Sequence, residues 1–326
     1  MKIGLVDVDR SGFPNLPLMK LSAWHKQQGD TVEWYEPLFS GRMDRVYMSK
    51  VFSFAPDYEY CINADEVIKG GSGYAIKTVE SREIFGDRED IRERYEVYDK
   101  TRDADLLDDI EHMRPDYSLY PGLTENTAYG FLTRGCPRGC TFCHVSEKEG
   151  RCSRKTADLA EFWSGQKKIV LLDPNITACR DWKELFWQLI DSGAKVDINQ
   201  GMDIRMMTDE KAEMVKKIKT DRVHFAWDQY EDGNIIIPRL KAFKEITGWK
   251  SWKTIVYVLV NFNTTIEQDL ERIYTLREMD YDPYVMIYDK EHTDRTDAAR
   301  RLQRWVNNRK IFKTIKRFED YDPKIG

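Results

Sequence analysis

The chain has 326 residues, of which 41% are hydrophobic and 33% charged, a globular balance that argues against wholesale disorder. Its formal net charge of −5 makes the chain as a whole a poor electrostatic partner for nucleic acid. Six cysteines are too few for a disulfide scaffold, and no apolar run reaches the roughly 18 residues that a membrane helix needs. The start is acidic by Asp7 and has no small-residue cleavage site, so we expect a cytoplasmic protein without a signal peptide.

The first 75 residues predict alternating strands and helices. An apolar β-branched run at 2–9 is typical of a strand, and a helical pattern follows over roughly 16–28, ending at Gly29. Further short strands are predicted at 31–38, 44–52 and 65–71. Alternation of this kind, with glycine at strand ends, is typical of an open parallel sheet.

The region that follows is polar and charged. We expect residues 87–118 to be helical in part and to form a bridge between two domains. The segment "PDYSLYPGL", residues 115–123, has two prolines and a glycine and is the predicted boundary.

The second half alternates regularly from Tyr129 onward. Six strands are predicted, at 128–135, 167–175, 195–203, 222–228, 253–262 and 283–289. Amphipathic helical segments lie between them, with Thr208 and Thr265 as predicted N-caps and Gly193 as a predicted stop. Six such units predict a parallel sheet with right-handed crossovers, closed only in part into an α/β barrel. Chemistry in such folds gathers at the C-terminal ends of the strands.

Three of the six cysteines lie within eight residues, just after the first of these strands. Cys136, Cys140 and Cys143 have the spacing C-x3-C-x2-C, and thiolates suit zinc, copper(I) and iron–sulfur clusters. A structural zinc site would need a fourth ligand such as His144, and an electron-transfer cluster would need one such as Cys152. A third interpretation is a 4Fe–4S cluster with three cysteines and one open iron. The scattered cysteines are interpreted as inert thiols: Cys61, Cys152 and Cys179.

The motif and its flanks resemble the radical SAM superfamily. The run "RGCPRGCTFC" is similar to the branch that contains the cobalamin-dependent radical SAM enzymes and the methylthiotransferases. Further runs match later units of that branch: "VLLDPN", "INQGMDIRMMTDEKAEMVKKI", "FAWDQY" and "VLVNFNTTIEQDL". The N-terminal half looks like the Rossmann-type domain that precedes the barrel there. The resemblance covers roughly residues 1–290 and implies two parts, a Rossmann-like domain (1–115) and a partial (β/α)6 barrel (116–290). The remaining residues, 291–326, are predicted to form a basic helical extension.

The resemblance also implies an activity. Cys136, Cys140 and Cys143 would hold a 4Fe–4S cluster whose open iron binds S-adenosylmethionine (SAM). Reductive cleavage of SAM would then give a 5′-deoxyadenosyl radical that modifies an unidentified substrate. The electron would come from a donor such as flavodoxin or ferredoxin, and the protein supplies position and exclusion of water.

Six residues are implied as SAM contacts, at strand ends and beside the third cysteine: Phe142, Asp173, Asn175, Gln200, Arg205 and Asp228. Phe142 is expected near the adenine, and Asp173 and Asn175 near the methionine end. Arg205 is expected to pair with the SAM carboxylate in a bidentate contact, and Asp228 to accept from the ribose or amino group. The alternative for each strand-end residue is an ordinary polar or salt-bridged side chain.

Two departures from the branch limit the activity. Cobalamin-binding domains carry Asp-x-His-x-x-Gly after the first strand, whereas this chain has "DVDRSGFPN" without a histidine. A cobalamin-dependent radical SAM methyltransferase is therefore kept as the alternative enzyme, with cobalamin not expected. Methylthiotransferases use three further N-terminal cysteines, and only Cys61 lies in that half, so this activity is not expected.

The C-terminal segment is strongly basic. Nine Lys or Arg residues lie within 295–317, interleaved with aromatic residues, a pattern that suits a phosphate backbone and stacked bases. A nucleic acid or nucleotide substrate is one interpretation, and a metal-stabilised nucleic-acid-binding module is the non-enzymatic alternative. The favoured interpretation is a helix that packs Leu302, Trp305, Val306 and Ile311 while its basic side chains stay solvated.

Overall fold

The computed structural model describes residues 1–85 and 88–323, and the chain divides into two compact units, Met1–Ile169 and Val170–Gly326. Both contain parallel strands with helices, so the predicted α/β class is confirmed at that level. The arrangement as a Rossmann-like domain before a partial barrel stays a prediction, as do the three domain ranges. None of the helices in the described residues is long and apolar enough to cross a membrane.

The first unit is built around a parallel sheet. The strands of the unit as a whole are β1 (Lys2–Asp7), β2 (Thr31–Trp34), β3 (Met43–Ser49), β4 (Ala64–Gly70), β5 (Ile76–Phe85), β6 (Arg88–Tyr98), β7 (Thr127–Gly130), β8 (Thr133–Arg134) and β9 (Arg154–Lys155). Its helices are α1 (Leu16–Gln27), α2 (Ser72–Ala75), α3 (Asp108–Glu111), α4 (Pro121–Thr124) and α5 (Val145–Glu149). Strands β1 to β4 pair in parallel in the order β2-β1-β3-β4. The first predicted helix and strands are thus confirmed, although loops rather than helices join β2 to β3 and β3 to β4.

The central strands of this sheet, β1 and β3, are mostly buried and have apolar clusters on both faces. Because successive strand residues point to opposite sides, Ile3 and Leu5 of β1 pack in one apolar cluster with α1, while Val6 packs in another. Gly4 lies between them at a close approach, since a Cβ there would be only 2.9 Å from Cγ2 of Val46. Helix α1 begins at Asn15, whose side chain accepts the N–H of Leu18 at 3.3 Å.

A β-hairpin stands where a partly helical bridge was expected. Strands β5 and β6 pair antiparallel, so much of the predicted 87–118 bridge is strand, and its helical part is limited to short turns such as α3. Residue 87 itself lies outside the described residues. The hairpin is a two-stranded ribbon, and Val79, Tyr95 and Val97 on it are exposed. Exposed strand positions need no apolar periodicity, which explains why composition misled the prediction.

The second unit alternates strands and helices as predicted. Strand β10 (Lys168–Leu171) crosses the division, and β11 (Lys195–Ile198), β12 (Val223–Ala226), β13 (Thr254–Val260) and β14 (Asp282–Ile287) follow. The helices are α6 (Trp182–Ser192), α7 (Asp209–Lys217), α8 (Gly233–Thr247), α9 (Ile266–Glu278), α10 (Ala298–Asn307) and α11 (Arg309–Thr314). Strands β12, β13 and β14 are parallel neighbours in that order. The N–H of Asn199 after β11 donates to the carbonyl of Leu171 at the end of β10, at 3.0 Å.

The predicted helix ends in this unit are confirmed. Thr208 accepts the N–H of Lys211, and Thr265 forms a capping box with Gln268. Gly193 ends α6 in the left-handed region at φ 61°, where a glycine carries no Cβ penalty.

The favoured interpretation of the C-terminal segment is confirmed for three of its four packing residues, whereas Ile311 lies on α11 and is partly buried. The expectation that all basic side chains stay solvated is wrong for Arg301, which donates to two backbone carbonyls. Leu302, Trp305 and Val306 of α10 are fully buried, and the indole N–H of Trp305 donates to the carbonyl of Ile315 at 3.1 Å. Residues 324–326 of the predicted extension lie outside the described residues.

Candidate active site

The three neighbouring cysteines lie on one loop of the first unit that is closed at its base. Strands β8 and β9 pair antiparallel, with Arg134 opposite Arg154, so the chain returns to its starting point after the loop. Within the loop the N–H of Cys136 donates to the carbonyl of Gly150 at 3.1 Å, and that of Cys143 to Cys140 at 3.0 Å. All three thiols are partly exposed. The loop therefore presents three sulfur donors from a hydrogen-bonded backbone.

Gly135 is required where the chain enters this loop. Its φ is +84°, and a Cβ there would be 2.3 Å from the carbonyl oxygen of Cys152. Its N–H donates to a carboxylate oxygen of Glu149 at 2.9 Å. Glu149 also pairs with Arg134 at 3.0 Å, and Arg134 pairs in turn with Glu111 at 2.7 Å. This ion-pair chain fastens the start of the loop to the helix that follows it.

Two arginines lie close to the cysteines along the loop. Arg138 lies between the first two cysteines in sequence. A Cβ at Gly139, the residue before Cys140, would be 3.6 Å from Cζ of Arg151. Metals bind the thiolate form of cysteine, which is an anion. The loop therefore has charges of the sign that suits thiolate ligands.

The donor set fits an iron–sulfur cluster in its chemistry. Among the described residues, no group of three or more His, Cys, Asp or Glu side chains is already arranged to hold a metal ion. Three partly exposed thiols on one loop are nevertheless the ligand type that such clusters use. The proposed fourth ligands are placed differently. His144 directs Nε2 to Glu96 at 3.3 Å, and Cys152 is an exposed residue.

Phe142, the residue predicted near the adenine, is a partly buried member of the same loop. The five other predicted contacts lie in the second unit: Asp173, Asn175, Gln200, Arg205 and Asp228. Four of these five side chains are buried or partly buried, whereas Gln200 is exposed after β11.

Asp173 and Asn175 follow the end of β10 and are both buried. The Asn175 side-chain carbonyl accepts from the hydroxyl of Thr177 at 2.8 Å. The same hydroxyl accepts the N–H of Asp203 at 3.2 Å. Lys211 then donates to the carbonyl of Thr177 at 2.9 Å. The loop after β10 is thus joined to the loop after β11, a relationship that brings two of the predicted strand ends together.

Arg205 is held by two carboxylates. Its Nε donates to Asp203 at 2.7 Å and its Nη1 pairs closely with Asp232. Burial opposes the charged guanidinium, but these two partners outweigh it and raise the pKa of Arg205. Asp203 and Asp232 were not predicted as site residues. The position of Asp203 two residues before the arginine was the available signal, because an Asp side chain readily bonds backbone and side chain at that spacing.

Asp228 is a carboxyl with an unusual pKa at the end of β12. Burial raises its pKa to about 6, against the attraction of Arg205 and Arg272. Arg272 of α9 is fully buried and donates to the carbonyls of Trp227 and Asp228 at 2.6 and 3.0 Å. The strand end is therefore fixed by an arginine that sequence reasoning missed. A carboxyl with a pKa near neutrality, in a cluster of charged groups, is a common feature of functional sites.

The fold and the thiol loop therefore define an α/β protein with three cysteines on one loop, and no family model matches the sequence. The chain is similar to the tRNA-2-methylthio-N(6)-dimethylallyladenosine synthase of Sulfurihydrogenibium sp. (strain YO3AOP1), with 25% identity over 207 residues. That match covers 55% of this chain and 47% of the synthase, so the chain spans about half the length of this relative. The similarity supports the radical SAM superfamily and an enzyme in general.

Proposed function

We propose that this chain is a radical SAM enzyme in which Cys136, Cys140 and Cys143 hold a 4Fe–4S cluster. The observation that supports it most is the closed loop with three thiols, in a chain similar to a methylthio-adenosine synthase. When bound, the cluster supplies one electron that cleaves SAM to methionine and a 5′-deoxyadenosyl radical. The chain's own part is to present three sulfur ligands and to bind and orient SAM.

The charged cluster of the second unit is the proposed SAM-binding part. Arg205 is held in one orientation by Asp203 and Asp232, so it offers its positive charge at a fixed place. We propose that this charge attracts the SAM carboxylate. Asp228, with its pKa of about 6, is ionised at neutral pH and accepts a hydrogen bond from the amino or ribose group. Asn175 offers a further amide to the methionine end.

We propose an RNA as the substrate. The relative is named for a tRNA nucleoside, and this chain has a basic C-terminal segment with exposed cations. Methylthio transfer is not proposed, because residues 1–115 contain one cysteine, Cys61.

A histidine-ligated cobalamin does not fit the N-terminal sheet. The loop after β1 has no histidine, and His25 is buried in α1 against Asp30 at 2.6 Å and Tyr47 at 3.1 Å. We therefore derive no step that uses cobalamin, and measuring corrinoid in the purified protein tests that choice.

The test is anaerobic reconstitution with iron and sulfide, followed by metal analysis and absorbance, then reduction with SAM and chromatography for 5′-deoxyadenosine. The wild type should take up iron and sulfide and form 5′-deoxyadenosine. Cys140→Ala should lose most of both, whereas Cys152→Ala, a matched change at an exposed thiol, should retain them. Zinc without iron, or equal losses in the two variants, would contradict the proposal.

A further inference from the structure

A broad groove in the second unit is lined mainly by cations. It has a volume of about 910 Å³ and lies along α10, the start of α11 and β14. Five of its nine lining residues are basic: Lys290, Arg300, Arg304, Arg309 and Lys310. No Asp or Glu lines it within the part of the chain that the structure describes. The groove is therefore a place of positive potential on a chain whose net charge is negative.

Part of this charge is not neutralised by carboxylates of the protein itself. Lys290, Arg300 and Lys310 have no carboxylate partner among the described residues. Arg300 instead donates to backbone carbonyls, including that of Thr293 at 3.2 Å, which fixes its position without reducing its charge. Arg309, by contrast, pairs with Asp282 at 2.5 Å. An anionic ligand would thus find several cations ready to bind it.

The floor of the groove is fixed. Asn307 of α10 accepts the N–H of Val285 at 2.8 Å and donates to its carbonyl at 3.0 Å, and Gln303 donates to the same carbonyl. These amides satisfy the edge of β14 as a neighbouring strand would. Tyr284 next to Val285 is 44% exposed and lies edge-on to Tyr257, with ring centroids 5.7 Å apart. The groove therefore has a rigid base with one accessible aromatic ring.

The lining favours a polymer of phosphates over a membrane. Surface-bound helices insert large apolar side chains into the lipid, and Tyr284 is the one large apolar or aromatic residue in this lining. Proteins that bind a single nucleic-acid strand commonly combine spaced cations with exposed aromatic rings. The phosphates pair with Lys and Arg, and the bases stack on the rings.

We propose that this groove binds a single-stranded segment of the RNA substrate, with Lys290, Arg304 and Lys310 on its phosphates and Tyr284 against a base. The choice of RNA over DNA rests on the proposed function, whereas the proposal that the groove binds a nucleic-acid strand does not. The structure also separates these cations from others of the basic segment. Arg301, for example, donates to the carbonyls of Phe318 and Tyr321 and so stabilises the C-terminal fold.

The test is fluorescence anisotropy of a labelled mixed-sequence RNA oligonucleotide with the full chain, between 50 and 300 mM KCl. The groove variant is Lys290→Ser with Arg304→Ser and Lys310→Ser. The matched control is Lys313→Ser with Lys316→Ser and Arg317→Ser, which removes the same charge from the same basic segment outside the lining. Loss of three phosphate contacts should reduce the slope of log affinity against log salt by about 2, since each contributes ~0.7. The control should keep the wild-type slope, and Tyr284→Leu should weaken binding by about tenfold or more while Tyr284→Phe retains it.

Equal losses in the groove variant and its control, or no RNA binding by the wild type, would overturn the proposal. Sedimentation with phosphatidylserine vesicles that needs the groove cations, without RNA binding, would assign the groove to lipid. Equal affinity for DNA of the same sequence would overturn the choice of RNA. The groove variant should still take up iron and form 5′-deoxyadenosine. A wild type that binds RNA through the groove but takes up no iron would contradict the radical SAM proposal and support the groove proposal.

Discussion

Arg272 holds the backbone at Asp228, because its guanidinium donates to the carbonyl of Asp228 at 3.0 Å from a fully buried position on α9. The same side chain donates to the carbonyls of Trp227 and Leu259 and pairs closely with Asp269. One planar group with five N–H donors thus joins the ends of β12 and β13 to the helix that follows. The end of β12 is where the carboxyl with the raised pKa lies, so a structural arginine positions a candidate binding residue.

Arg272→Met should lower the free energy of unfolding by about 3–5 kcal/mol, because it leaves Asp269 and three carbonyls without their buried partner. Arg272→Lys should recover only part of this, since an ammonium keeps the charge but not the fork. Urea unfolding measures both, with Arg239→Met at an exposed position of α8 as the control. A loss no larger than that of the control would contradict the role assigned to Arg272.

Asp228 predicts a pH dependence of stability. Its pKa is about 6 in the folded chain, above the ordinary 3.8, so the folded state binds the proton more tightly than the unfolded state. The contribution of Asp228 to the free energy of unfolding therefore falls as the pH rises from about 4 to 6, by up to about 3 kcal/mol. Above pH 6 this contribution is constant. Asp228→Asn should remove this fall, so its stability relative to wild type should rise between pH 4 and 7. Asp191→Asn, an exposed change, should follow the wild-type profile, and a parallel profile for Asp228→Asn would disprove the assignment.

Gly135→Ala should disrupt the cysteine loop. The new methyl group would lie 2.3 Å from the carbonyl of Cys152 in a residue with φ +84°, so the backbone must move. We expect a lower melting temperature and weaker iron uptake in the same preparation. Gly122→Ala is the control, because a Cβ there meets nothing within 4 Å. Unchanged melting of Gly135→Ala would show that the loop tolerates the shift.

Asn307→Ala should destabilise the edge of β14. The buried N–H of Val285 would lose its acceptor, and an unsatisfied buried donor costs about 1–3 kcal/mol. Hydrogen exchange of the Val285 amide should accelerate, which is a local readout that a general loss of stability would not single out. Asn234→Ala, at an exposed position of α8, should leave that amide unchanged. Equal exchange rates in the two variants would contradict the pairing.

Much of the secondary structure could be predicted from local sequence patterns. The period of apolar residues predicted β1, α1 and the alternating elements of the second unit, and Thr208, Thr265 and Gly193 were identified as helix ends from their chemistry alone. The three cysteines were likewise identified by spacing. The β5–β6 hairpin was not predicted, because its charged residues were interpreted as a partly helical bridge and the antiparallel pairing joins two segments that no local pattern links.

The sequence by itself thus determined which residue types could do chemistry and which segments fold locally, since both depend on neighbours along the chain. Only the tertiary structure decided which of them meet. Arg272 and Asp228 are 44 residues apart, and Asn307 and Val285 are 22 apart. The raised pKa of Asp228 is a consequence of burial, and the second carboxylate that holds Arg205, Asp232, lies 27 residues away. Those quantities depend on packing between distant segments, which no local pattern encodes.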